Sequence, residues 1–173
     1  MSVSYATIDS PLGDLFAAMT DIGLVALSFQ RNHKTQLLEE LQARVGSVRE
    51  EPRRLDQLRR ELDRYFDRRA RAFQLPLDWR LAPGGFMRRA LEAVATVPFG
   101  QTRAYRELAA TAGNPGASRA AGTAMARNPI AIVIPCHRAL RSDRTIGNYG
   151  WGPDGSGHKE YLLRLEGAWP PAA

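Results

Sequence analysis

The chain is 173 residues long, 44% apolar, and carries one cysteine and a formal charge of +6. That length holds one ordinary domain or two small ones, and its apolar content suffices for a packed core, which excludes disordered and fibrous classes. No run reaches the roughly eighteen apolar residues of a membrane span, and the opening Met1–Asp9 lacks the basic and apolar blocks of a secretory leader, so a cytoplasmic protein without a membrane partner is expected. A single cysteine excludes an internal disulfide, and a reducing compartment would keep it a free thiol.

In chain order, Val3–Ile8, Leu15–Met19 and Leu24–Phe29 are rich in strand formers, and turn signals at Ser10–Asp14 and Asp21–Gly23 separate them, which predicts a β-meander. Thr35–Val45 places Leu37, Leu38, Leu41 and Val45 at helical spacing, and Arg53–Arg69 does the same with Leu55, Leu58, Leu62, Tyr65 and Phe66. Phe73–Leu77 can add a last strand. No site emerges in this half, where His33 reads as an isolated histidine in a polar turn. Leu81–Gly85 breaks the periodicity with Pro and Gly and reads as a linker, dividing the chain into domains 1–80 and 81–173.

Charge changes at the same place. Met1–Trp79 holds 12 basic and 12 acidic residues, so the remaining 12 basic and 6 acidic ones carry the whole +6. A basic half beside a neutral one points to a polyanion bound by the second half.

That second half opens with a helix over Phe86–Val97, stopped at Pro98-Phe99-Gly100. Helices over Thr102–Ala112 and Ala117–Arg127 then flank the turn Gly113-Asn114-Pro115-Gly116, the shape of a helix-turn-helix. The second of these helices is unusual. It is made almost entirely of small residues, with Arg119 the one long cation near its start. A helix that reads base edges in the major groove needs several Arg, Asn or Gln side chains. Small residues instead allow close backbone approach, which suits either tight helix packing inside the protein, the reading composition alone favours, or the minor groove, with one arginine as a wedge in the base stack.

Asn128-Pro129 then leads into Ile130–Ile134, an uncharged β-branched run that predicts a short buried strand ended by Pro135. With this strand the second half reads as a winged-helix-like domain. Cys136-His137-Arg138 follows at once, so the only thiol lies at the exit of a core element, beside an imidazole and a guanidinium that can favour thiolate. Adjacency alone proves little, since neighbours on a strand point to opposite faces.

The string Asn128-Pro129, an apolar run and Ile134-Pro135-Cys136-His137-Arg138 closely resembles the active-site signature of the O6-alkylguanine-DNA alkyltransferases. The likeness continues through Pro98–Tyr105, Ala112–Pro115, Ser118-Arg119-Ala120, Gly147-Asn148-Tyr149 and Leu162–Gly167, and Ile8–Gly13 is similar to the start of that family's N-terminal domain. The resemblance implies an α/β (α+β) fold, with a ribonuclease-H-like sheet flanked by helices before the winged-helix-like domain. It implies a direct-reversal DNA repair enzyme that moves the alkyl group of O6-alkylguanine, in base-flipped duplex DNA, irreversibly onto Cys136, with no cofactor and as a monomer.

By the same resemblance His137 takes the thiol proton through a water and Glu166 orients that imidazole. Asn128 ties the active-site turn to the recognition helix, and Tyr105 hydrogen-bonds or protonates the leaving guanine. Arg119 fills the gap in the stack, with Ser118, Ala120 and Gly122 also against DNA, and Tyr149, Gly150 and Ala139 line the base pocket. Some relatives have Ser where this chain has Gly150, and the segment Gly150–His158 is about three residues longer than the family pattern, which leaves the accepted adduct size open. Zinc ligands that some relatives carry near the N-terminus are absent, so no metal is expected. Two other readings differ in class. A lesion sensor on the same scaffold would replace the acceptor cysteine, and a helix-turn-helix regulator would need more base-reading side chains than the second helix has.

Overall fold

A computed structural model describes residues 1–29, 33–147 and 155–171. They separate into two compact units, one of residues 1–81 with 129–131 and the other of 82–128 with 132–173.

The first unit is a mixed sheet with helices. Strands β1 (Ser2–Ile8), β2 (Leu15–Met19) and β3 (Leu24–Phe29) form the expected meander with antiparallel neighbours. After α1 (Lys34–Arg44), a strand that the residue pattern does not predict, β4 (Ser47–Glu50), pairs parallel to β1, giving the order β3-β2-β1-β4. β4 alternates poorly and is mostly exposed, as an edge strand that its neighbour recruits rather than one its own pattern specifies. Val3, Phe16, Ala18, Val25 and Ala26 from the sheet pack with Leu41 of α1 in the core. A large aliphatic or aromatic side chain buried in this way contributes about 1.5–3 kcal/mol.

The helix expected over Arg53–Arg69 is split, a 3-10 turn at Pro52–Leu55 leading into α2 (Asp56–Phe66), whose Leu58, Leu62 and Tyr65 are buried as their spacing requires. The strand expected at Phe73–Leu77 reduces to a bridge between Leu77 and Leu24. Its approach is close: a Cβ on Gly23 would lie 2.3 Å from the Pro76 carbonyl oxygen, so only glycine fits there.

In the second unit α3 (Gly85–Ala95) packs against α4 (Tyr105–Thr111) and α5 (Ser118–Ala126), the two helices on either side of the Gly113–Gly116 turn. α4 starts three residues later than its periodicity predicts. Arg103-Ala104 is drawn off as β5, which pairs parallel to β6 (Ala139-Leu140), a partner too distant in sequence to be read locally. α6 (Gly155–Leu165) closes the chain.

The largest departure lies at 130–134, where the expected strand does not form. Ile130 makes one bridge to Leu27 within the first unit, with Leu27 N–H donating to Pro129 O and Ala131 N–H to Leu27 O, both at 2.9 Å. The chain then turns, and buried Ile132 sits at φ 69°, where a β-branched residue is strained by about 1–3 kcal/mol.

Candidate active site

Cys136 opens a single 3-10 turn, Cys136–Arg138, rather than leaving a strand. That turn answers the objection from adjacency. Three residues per turn send successive side chains about 120° apart, so a thiol, an imidazole and a guanidinium can each find a separate buried partner. All three are buried, at 4%, 0% and 7% exposure.

The Asn128 side chain holds the sulfur in place. Its Nδ2 donates to Ile134 O at 2.7 Å and to Cys136 Sγ at 3.1 Å. The first bond closes the 129–135 excursion as a side-chain clasp. The second puts a donor on the sulfur, where it favours negative charge. Asn128 follows directly on the end of α5, so the same residue joins helix and thiol.

Behind the thiol, His137 Nε2 lies 2.8 Å from Glu166 Oε1, and Arg138 grips the same carboxylate with both arms, Nε to Oε2 at 2.9 Å and Nη2 to Oε1 at 2.8 Å. Arg138 Nη1 also donates to Val97 O at 2.6 Å. Burial by itself would raise the Glu166 carboxyl, but the hydrogen bonds and charges of His137 and Arg138 outweigh it and hold the pKa down at about 2. Burial pushes the imidazole of His137 below its ordinary value, against the opposing pull of Glu166. At neutral pH the set is therefore a carboxylate accepting from a neutral imidazole. Nε2 is the donor in that pairing, which leaves Nδ1 in the tautomer that accepts protons.

A second lysine-centred set touches the first. Lys159 is fully buried, and its Nζ donates to Ala139 O at 2.5 Å and to Tyr105 Oη at 3.3 Å. Burial brings its pKa down to about 8, while the charge of Cys136 pulls the other way. Burial, then the nearby Cys136 charge, lift the Tyr105 phenol to about 12, so it is a protonated donor at neutral pH. Tyr105 also lines a cavity of about 590 Å³ with Ser118, Arg119, Gly122, Thr123, Ala126, Arg141 and Ser142. The Arg119 side chain is exposed there, while Ala121, Ala124 and Met125 on the other face of α5 are buried.

The structure thus gathers the residues singled out in the sequence into two adjoining groups. Asn128, Cys136, His137 and Glu166 cluster around the thiol and the buried carboxylate, and Tyr105, Ser118, Arg119 and Gly122 line the groove. Ala139 contributes its carbonyl to Lys159. Ala120 is half-buried and outside the groove lining. Tyr149 and Gly150, together with most of the Gly150–His158 segment, lie outside the described residues. Sequence reasoning missed Arg138 as the clamp on Glu166, and Lys159 altogether. Arg138 stood out only as a guanidinium next to the thiol, whereas its arms go to Glu166 and Val97 O; Lys159 had no signal beyond its place in a basic half-chain, which does not distinguish a buried cation from a solvated one.

An α/β chain with a helix-turn-helix beside a buried thiol, imidazole and carboxylate defines a class of nucleophilic cysteine proteins built on a DNA-binding scaffold. Residues 85–168 match the family model described as the DNA-binding domain of 6-O-methylguanine DNA methyltransferase, and residues 3–79 match that of its ribonuclease-like domain. The chain belongs to this family. It is 36% identical, over 99% of its own length and 96% of the relative's, to the methylated-DNA--protein-cysteine methyltransferase of Mycolicibacterium paratuberculosis. The solved O6-methylguanine methyltransferase of Mycobacterium tuberculosis is similar at a TM-score of 0.78 and 34% identity, with 99% of this chain and 96% of that one covered. The same organism's OGT in complex with DNA is similar at 0.72 and 33%, with the same coverage.

Proposed function

We propose that this protein repairs O6-alkylguanine in double-stranded DNA by transferring the alkyl group to Cys136, once per molecule. The observation that carries the reading is the sulfur itself, held by Asn128 at 3.1 Å in a turn whose next residue is paired to Glu166 at 2.8 Å.

Cys136 Sγ attacks the carbon bonded to guanine O6. A carbon–sulfur bond forms, the carbon–oxygen bond breaks, and its electron pair stays on the purine. His137 takes the thiol proton through a water, held in the right tautomer by Glu166. Tyr105 donates to the purine as it leaves, and the Lys159 ammonium beside it steadies the charge the phenol acquires. The proton that leaves the thiol through His137 and water restores the Tyr105 phenol, so only Cys136 is changed; the reaction consumes the protein and needs no cofactor.

A base inside the duplex is out of reach of a buried sulfur, so the lesion rotates out of the stack. α5 brings its small residues against the minor groove, and exposed Arg119 occupies the space the base leaves. The Ala139 carbonyl lines the base pocket. O4-alkylthymine presents a related exocyclic oxygen and is a candidate second substrate. The protein works as a monomer in the cytoplasm, where the thiol stays reduced; no described helix is long and apolar enough to cross a membrane.

The test is direct. After mixing with duplex containing O6-methylguanine, mass spectrometry should find one methyl on the peptide containing Cys136, and Cys136→Ser should bind the duplex and transfer nothing. Lesion loss with an unmodified Cys136, or repeated turnover, would rule the mechanism out.

A further inference from the structure

The second unit has another cavity, of about 430 Å³, that the reaction above does not use. Its lining includes Arg103, Arg106, Arg141 and Arg144, against one carboxylate, Glu107. We propose that these four arginines form a second DNA-binding surface, which grips backbone phosphates of the strand where it leaves the groove of α5. The proposal rests on DNA being the partner, as argued above.

Little of the charge of this surface is paired internally, although Arg141, beside the hydrogen bonds from Thr145, helps hold the Asp143 carboxyl low. Among the described residues the side chains of Arg106, Arg141 and Arg144 make no hydrogen bond or ion pair, and Arg103 donates only to neutral oxygens, Thr102 O and Gln101 Oε1. The two carboxylates that could neutralise them are engaged elsewhere. Glu107 Oε2 accepts the Ala104 N–H at 2.6 Å, and Asp143 Oδ1 accepts both the N–H and the hydroxyl of Thr145. Like charges held together with few counter-ions repel at some cost to the fold.

The mounting is also firm. Arg103 lies on β5, tied to β6, and Arg106 follows in the first turn of α4. Arg141 and Arg144 stand on a turn closed by Arg141 N–H to Thr145 O at 3.1 Å and by Arg144 N–H to Arg141 O at 2.8 Å. Arg144 sits there at φ 66°, a strained conformation for a residue other than glycine. Guanidinium forks match phosphate oxygens in pairs, which favours a phosphodiester over an isolated carboxylate as occupant.

Continuity decides for the backbone of the same DNA. Arg141 and Ser142 line both cavities, so they form the wall the two share. A strand lying in the α5 groove meets the four-arginine surface on crossing that wall.

The experiment measures binding of undamaged duplex against salt. Every phosphate that the protein ceases to neutralise flattens the slope of log K against log salt by about 0.9. The combined variant Arg103→Gln, Arg106→Gln, Arg144→Gln should flatten it by about 2 to 3 and weaken binding at 0.1 M salt roughly tenfold or more. Arg141 is left intact because it also lines the α5 groove. A charge-matched control, Arg53→Gln, Arg60→Gln, Arg64→Gln in the first unit, should keep the wild-type slope. The single exposed changes Arg106→Gln and Arg144→Gln, each expected to flatten the slope by about 1, carry the test if the combined variant does not fold. An unchanged slope in the arginine-cavity variants, or an equal loss in the control, overturns the surface. Methyl transfer is scored separately on Cys136, so a silent cysteine would sink the reaction while the slopes alone decide the surface.

Discussion

Glu166 is buried and ionised at once, and only its partners make that possible. An unpaired carboxylate at 5% exposure would take up a proton; here an imidazole and a two-armed guanidinium supply three hydrogen bonds to it. The pKa of about 2, against an ordinary 4.5, ties it to stability. Because the folded value is depressed, its contribution is present above pH 4.5 and is lost as pH falls toward 2, an amount on the order of 3 kcal/mol. Glu166→Gln should therefore lower stability at pH 7 by roughly 3–5 kcal/mol, since it leaves the charge of Arg138 buried without a counter-ion. The variant should also flatten the decline between about pH 5 and 2, read from denaturant unfolding at a series of pH values. If wild type and variant fell in parallel across that window, the carboxylate would not be the group that titrates. The pairing of His137 with Glu166 was legible only through the resemblance to the alkyltransferases, because 29 residues separate them and nothing local marks the pair. Lys159 was not legible at all: buried cations are rare, and sequence alone reads an isolated lysine as solvated.

At the scale of elements, α5 is the case where composition spoke more clearly than periodicity. Its small residues fit close approach either to DNA or to neighbouring helices, and one face of it packs closely against α3 and α4. The other face includes Gly122, where a Cβ would meet nothing within 4 Å. A side chain added there starts in open space on the groove side of the helix. Gly122→Leu should raise stability by several tenths to about 1 kcal/mol through helix propensity alone. The same change should weaken duplex binding at least roughly tenfold, about 1.4 kcal/mol, by holding the helix off the minor groove. Melting temperature and fluorescence anisotropy read the two effects separately. Unchanged affinity would mean that this face does not meet DNA. The segment before the thiol misled for the opposite reason. A β-branched run reads as strand because ladder hydrogen bonds are assumed, but at 130–134 the Asn128 side chain takes over part of that bonding, and the chain folds into a turn with Ile132 at φ 69°. Side-chain clasps of this kind leave no periodic trace. The parallel pair β5 and β6 was hidden likewise, since two residues per strand are too few to show alternation.

For the molecule as a whole, charge and chain path divide differently. All of the net +6 lies beyond residue 79, and so do the reactive set and both arginine-lined cavities. Yet the neutral unit is not a bystander, because residues 129–131 belong to it and lie between Asn128 and the turn that carries Cys136. Their backbone is fixed by both bonds to Leu27, and Ile130 is fully buried. Cutting the chain after residue 81 would leave those two backbone groups without partners and expose Ile130, at about 1–3 kcal/mol for each unsatisfied polar group that stays buried and a similar amount for the isoleucine. The strained turn at Ile132 would then lose the pairing that precedes it, and the clasp from Asn128 to Ile134 O would have to hold the segment alone. A fragment of residues 82–173 should therefore keep helical circular dichroism from α3, α4 and α5, yet transfer methyl to Cys136 at least roughly tenfold more slowly than the full chain, which corresponds to about 1.4 kcal/mol of lost positioning. Equal rates from fragment and full chain would show instead that the turn keeps its geometry without the sheet, and that the neutral half acts on something other than the sulfur.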